Sequence, residues 1–101
     1  MNIVISRTML AIEPGGSEFV LTLAIGAPSK VPNSDWACLV QATRLFDEPR
    51  PIHGLDSWQA VQLSYQFIIS LVEGFVDRGG TLFWPESRES ISVHDLLPSL
   101  P

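Results

Sequence analysis

A single long helix is predicted by residues 54–79, which read GLDSWQAVQLSYQFIISLVEGFVDRG. Asp56 or Ser57 can cap its start, because a short side-chain oxygen accepts a hydrogen bond from a backbone N–H that lacks a helical partner. With Asp56 as the cap, Gln59 stands three residues later and gives a capping-box pattern. At the other end, Gly79 supplies the left-handed residue that commonly stops a helix. The sequence therefore specifies both ends of this helix.

Polar side chains form one narrow stripe along the helix, because they recur every three or four residues. The stripe consists of Gln59, Gln62, Gln66, Ser70, Glu73 and Asp77. It excludes a membrane-spanning helix, which needs about 20 mostly apolar residues. The apolar surface beside it is wider than one sheet normally covers. Two interpretations follow: a central helix overlapped by loops and the C-terminal tail, or a helix that gives part of its surface to a subunit interface.

Four strands are predicted, at residues 2–12, 19–25, 35–45 and 81–84. Pro85 ends the last of them, which should lie at an edge of the sheet. The first is apolar without clean alternation, so we expect it to be covered on both faces or to contain a bulge. The second alternates, which directs its apolar residues from Phe19 to Ile25 toward the helix. The third contains helix-forming residues, but the turn that precedes it and its complete apolar face favour a strand. On the far face, Val20, Leu39 and Leu10 are expected to leave a partly apolar surface.

The connections are predicted from proline and turn-forming residues. Residues 26–34 contain two prolines and should form a surface loop. Residues 46–55 are predicted as a stiff loop, because Pro49 and Pro51 restrict the backbone. Residues 91–97 are expected to form one helical turn, and residues 98–101 a tail. The predicted architecture is a single α+β domain over residues 1–101, with two layers: an antiparallel sheet of three to four strands, in the order β-β-β-α-β, and one long helix on one face.

Composition narrows the classes of partner. The formal net charge is −5 and the isoelectric point is near 4.7, whereas binding to nucleic acid or to an anionic membrane surface requires clustered Lys and Arg. We therefore predict neither nucleic acid nor membrane as a partner. Cys38 is the single cysteine, which rules out a disulfide within one chain. The N-terminal residues lack the pattern of a signal peptide, and the cytoplasm is the expected location.

Residues with catalytic potential have structural explanations. Cys38, His53, Asp56 and Ser57 could in principle form a nucleophile and a base, but Cys38 alternates with core residues and Ser57 stands where a helix cap belongs. His53 and His94 lack the spacing of a metal site, and no glycine-rich phosphate loop is present. We predict no catalytic residue, no metal and no cofactor.

Short motifs around two of these elements resemble those of a known family. They are the Trp36-Ala37-Cys38 strand and the helix start from Gly54 to Ala60, GLDSWQA. The chain is similar in both to a family of small bacterial proteins catalogued as a domain of unknown function. The resemblance implies a soluble bacterial protein and carries no activity with it.

The surplus apolar surface, together with the missing catalytic constellation, favours a non-enzymatic interaction module. It would act as a homodimer or bind another protein, and Trp58, Tyr65 and Leu39 are its predicted contact residues. The alternative hypothesis is a small-ligand-binding protein or minor enzyme. Its pocket would lie between the third strand and the start of the helix, around Trp36, His53 and Asp56.

Overall fold

The computed structural model describes residues 1–97; the predicted tail at residues 98–101 lies outside the described residues. Its elements in chain order are β1 (Ile3–Ile12), β2 (Glu18–Gly26), β3 (Ser29–Lys30), β4 (Trp36–Ala42), β5 (Arg50–Gly54), α1 (Ser57–Asp77), β6 (Thr81–Phe83), β7 (Ser90–Ile91) and a short 3₁₀ helix (Val93–Leu96). They form one antiparallel sheet with α1 packed against it. The fold is α+β, as predicted.

The strands follow the order β5, β4, β2, β1, β6 and β7 across the sheet, and β3 continues beside β4 on the same side as β2. Every pairing is antiparallel. The chain thus runs as a meander through β5, crosses the sheet as α1, and returns as β6 on the far side of β1. The expected bulge in β1 is present as a register shift between Ile3 and Ile5.

Several predicted connections contain strands, so the sheet has seven strands rather than three or four. The predicted loop at residues 46–55 contains β5, in which Pro51 pairs with Leu39 of β4. Proline is tolerated because β5 pairs with β4 alone and its missing N–H can face solvent. The loop at residues 26–34 similarly contains β3. Such short segments give no alternation pattern by which to recognise them.

The ends of two predicted strands also differ. The third predicted strand ends at Ala42 rather than at residue 45. It cannot continue because Arg44 adopts a positive φ of 73°, which a strand cannot accommodate. The predicted edge strand β6 is not an edge, because β7 pairs with it on the side away from β1. The helical turn expected at residues 91–97 is the 3₁₀ helix over Val93–Leu96.

The start of α1 is capped as predicted, with one difference. The Asp56 carboxylate accepts a hydrogen bond from the Gln59 backbone N–H at 2.7 Å. The Gln59 side chain accepts one from the Leu55 N–H at 2.8 Å, rather than from the N–H of the cap residue itself. At the other end, Gly79 has the expected left-handed conformation, with φ of 101°. The helix boundaries are therefore determined by local chemistry.

The core lies between α1 and one face of the sheet. The strand residues that face the helix include Met9, Leu21, Val40 and Leu82, all nearly inaccessible to solvent. The buried residues of α1 are Ala60, Ser64, Ile68, Ile69, Val72 and Phe75. The polar stripe of α1 faces solvent as predicted, and the opposite face of the sheet has no covering layer among the described residues. The molecule therefore has two layers.

Candidate functional site

The first half of β1 is exposed although it is part of the sheet. Ile3, Val4 and Ile5 have exposed fractions of 50%, 53% and 50%, and all residues from 3 to 8 are exposed. On one side they pair with β2. On the other side β6 pairs only with residues 10–12, and no other described segment makes backbone hydrogen bonds to residues 3–8 on that side. We call this segment, residues 3–8, the free edge.

The two outer strands of the sheet are protected against pairing, in contrast to the free edge. Proteins protect strand edges with proline, with charge or by keeping them short. β5 carries Arg50 and Pro51, and β7 is two residues long. The free edge contains no proline and one charged residue, Arg7. On the side away from β2 it therefore offers unpaired N–H and C=O groups beside the apolar side chains of Ile3, Val4 and Ile5, which is the arrangement that an additional strand recognises.

A groove lies beside the free edge, on the face of the sheet that carries α1. Its volume is about 190 Å³, and most of its exposed surface is apolar. It is lined by Ile5 and Ile25 on the sheet, by Ile68 and Ile69 on α1, and by Leu96 on the 3₁₀ helix. Because Ile5 belongs both to the groove and to the free edge, the two features form one continuous site.

Three residues that line this groove have polar side chains, Ser6, Arg7 and Tyr65, and the structure gives Arg7 and Tyr65 hydrogen bonds to the 3₁₀ helix. The Arg7 guanidinium lies over the Trp84 ring, 5.1 Å from its centroid, and donates to the backbone oxygen of Asp95 at 3.3 Å. The Tyr65 hydroxyl donates to the backbone oxygen of Leu96. Both contacts hold the 3₁₀ helix against the sheet and α1.

The charge of Arg7 is not matched by a carboxylate among residues 1–97. The ion pair found in that part of the chain joins Arg88 to Glu18, and the Asp95 carboxylate instead accepts from the Ser92 N–H at 2.9 Å. A guanidinium has five N–H donors, and one of them is used on the Asp95 carbonyl. Arg7 therefore keeps donors for an anionic group beside the groove.

The three predicted contact residues occupy separate surfaces. Trp58 is 75% exposed in the first turn of α1. Leu39 is 39% exposed and points away from α1, since its neighbours Cys38 and Val40 face the core. Tyr65 alone lines the groove. The structure does not bring the three together.

The residues of the alternative pocket are close in the chain but differ in surroundings. Trp36 packs against the core and pairs with Gly54. His53 directly precedes Gly54 in β5 and is exposed. Because neighbouring residues of a strand point to opposite faces, its side chain lies on the face of the sheet opposite to Trp36. Asp56 caps α1. The groove described above lies elsewhere, between β1, β2 and the middle of α1.

The remaining candidates for chemistry are accounted for structurally. Cys38 is completely buried in the core, and Ser57 is the first residue of α1. Within residues 1–97, no three side chains of His, Cys, Asp or Glu are grouped as metal ligands would be. In the same part of the chain, no helix combines the length and the apolar character required to span a membrane.

Sequence reasoning overlooked the free edge and Arg7. The available signal was the run from Ile3 to Ile5, which is apolar on both faces and carries no charge. Such a run predicts a covered or bulged strand equally well, since periodicity does not reveal how far a neighbouring strand extends.

Comparison with protein-family models, curated proteins and solved structures found no match to this chain. The resemblance to a bacterial family of unknown function therefore stays a prediction.

Proposed function

We propose that this protein is a non-enzymatic interaction module and that the free edge of β1 is its docking element. The observation that carries the proposal is the exposed strand edge of residues 3–8, which no described strand pairs on the side away from β2 and which begins with the apolar run Ile3, Val4 and Ile5. Addition of a strand to such an edge gives affinity through main-chain hydrogen bonds and specificity through neighbouring side-chain pockets. The free edge and the groove supply these two elements side by side.

The alternative, a small-ligand-binding protein, has less support. Sites for drug-sized ligands typically enclose about 300–1,000 Å³, whereas the groove encloses about 190 Å³. The three residues predicted for that pocket do not face a common cavity. Trp36 packs against the core, His53 is exposed on the other face of the sheet, and Asp56 caps α1.

A peptide-display screen with two proline variants tests the proposal. Ile5 and Ser6 follow the bulge and pair regularly with β2, so their N–H groups point to opposite sides of β1. Ile5→Pro and Ser6→Pro thus remove one N–H from the free edge and one from the β1–β2 ladder. The variant that keeps the wild-type melting temperature is the edge variant, and it should lose the peptides that the wild type enriches.

Self-association is measured in parallel by light scattering after size exclusion. A dimer that the edge variant converts to monomer also supports the proposal, because the partner strand would then come from a second copy. The proposal is refuted if the wild type enriches no peptide and stays monomeric at about 1 mM, or if the edge variant behaves like the wild type in both assays.

A further inference from the structure

We propose that the free edge and the groove together receive an extended segment of a partner protein in which a carboxylate residue and a large apolar residue stand two positions apart. The inference rests on the proposed function and adds the chemistry of the partner. Three observations support it: the alternation of β1, the size of the groove and the charge of Arg7.

The alternation of β1 determines the spacing. Ile5 and Arg7 both line the groove and are two residues apart, so they lie on the same face of the strand. An added strand places its own residues opposite them, also two apart and facing the same side, at about 5 Å between Cβ atoms. Both present neighbours of β1 are antiparallel. An antiparallel partner meets Arg7 before Ile5, which gives the order carboxylate, any residue, apolar residue.

The size of the groove determines the apolar residue. Its volume is about 190 Å³, and an engineered apolar cavity of about 150 Å³ is known to hold one benzene molecule. One phenylalanine or leucine side chain therefore fills the groove. Ile5, Ile68 and Ile69 supply the apolar walls for it.

The charge of Arg7 favours another protein over a second copy. Arg7 is the only charged residue among the first twelve, so a second β1 strand brings no carboxylate to it. In an antiparallel pair of β1 strands centred on Ser6, the two Arg7 side chains would instead become diagonal neighbours of like charge. A partner segment with Asp or Glu at that position forms a charge-assisted hydrogen bond.

Fluorescence polarisation with a labelled peptide tests the inference on the full chain. The probe reads threonine-threonine-glutamate-valine-phenylalanine-threonine-valine-threonine. Replacing its phenylalanine by alanine should weaken binding about 10- to 100-fold, because burial of that ring is lost. Replacing its glutamate by glutamine should weaken binding about two- to fivefold, as for an exposed ion pair.

Arg7→Gln distinguishes a direct contact from general support of the fold. In that variant the ratio of the affinities for the glutamate and glutamine peptides should fall to about 1, because the charged partner is absent. A purely structural role for Arg7, such as holding the 3₁₀ helix, would weaken both peptides equally and leave the ratio unchanged. The melting temperature of Arg7→Gln is measured alongside.

Backbone methylation of the probe verifies strand addition. Only one edge of an added strand faces β1, so N-methylation of one set of alternate residues should abolish binding and methylation of the other set should not.

The results separate the inference from the proposed function. Suppose the labelled probe binds, but replacing its phenylalanine by alanine or its glutamate by glutamine does not lower its affinity. The inference is then wrong and the interaction module stands. If no peptide binds and the protein forms a dimer that the edge variant dissociates, the occupant is a second copy and the inference is again wrong. If the labelled probe does not bind while the display screen enriches other peptides, the inference is wrong and the interaction module stands. If neither the probe nor any displayed peptide binds and no dimer forms, both proposals are overturned.

Discussion

Substitution of Gly54 by alanine tests how α1 is positioned on the sheet. Gly54 ends β5 directly against the first turn of the helix. A Cβ atom there would lie 2.4 Å from the Ala60 backbone nitrogen and 2.8 Å from the Ala60 Cα. Neither atom can move away without shifting the helix, because both belong to its backbone.

The expected loss of stability combines two opposing contributions. Overpacking of this kind costs about 1–3 kcal/mol, whereas replacing glycine by alanine restricts the unfolded chain and returns about 0.4–1 kcal/mol. Because the contacts are with backbone rather than with a flexible side chain, we expect a net loss of about 2 kcal/mol. For a chain of this size the melting temperature should fall by about 8 °C or more.

Gly15→Ala is the matched control for Gly54→Ala, since a Cβ at Gly15 has no atom within 4 Å. Urea denaturation gives the free energy of unfolding of both variants, and Gly15→Ala should remain within about 0.5 kcal/mol of the wild type. Equal stabilities for the two alanine variants would refute the close approach of β5 to α1.

Three further substitutions test the core, the helix cap and the contact between α1 and the 3₁₀ helix. Ile68→Ala should lower the free energy of unfolding by about 2–5 kcal/mol, because Ile68 is only 4% exposed. Leu63→Ala on the exposed side of α1 is the control, and equal losses in the two variants would contradict the assigned core. Asp56→Ala should cost about 1 kcal/mol and Asp56→Asn much less, as measured by thermal melting. Tyr65→Phe removes the hydrogen bond to Leu96 and should cost about 1 kcal/mol, with faster amide exchange at residues 93–96; unchanged exchange there would show that this bond does not hold the 3₁₀ helix.

The helix and the long strands could be predicted because their signals are local. The polar stripe, the Asp56 cap and the Gly79 stop each depend on residues within a few positions of one another. The alternation of β2 likewise identifies its core face without reference to any partner strand. These elements therefore agree between sequence and structure.

The missed strands and the site depend on pairings between distant residues. β5 forms because β4 offers it an edge, which overrides the loop tendency of Pro51. The free edge exists because β6, about 70 residues further along the chain, ends after pairing with three residues of β1. No window of sequence shows where β6 stops pairing with β1, so the sequence predicts Tyr65 as a contact residue but not Arg7 or Ile5.

The outer face of the sheet is another apolar surface among the described residues, and we expect it to be a weaker docking element than the one proposed at the free edge. Val20 and Leu39 are exposed there, as expected from their position, but Thr8 and Thr22 also lie on this face with their hydroxyl oxygens 3.3 Å apart. A partner that covers this face would desolvate those hydroxyls and gain no main-chain hydrogen bonds. Its affinity would therefore depend on the area it buries, and stable interfaces bury about 1,200–2,000 Å² in total. At the free edge, each added residue pair supplies main-chain hydrogen bonds and a defined register. A partner segment of a few residues can therefore be recognised at the free edge, whereas the outer face would require a partner with a large matching surface.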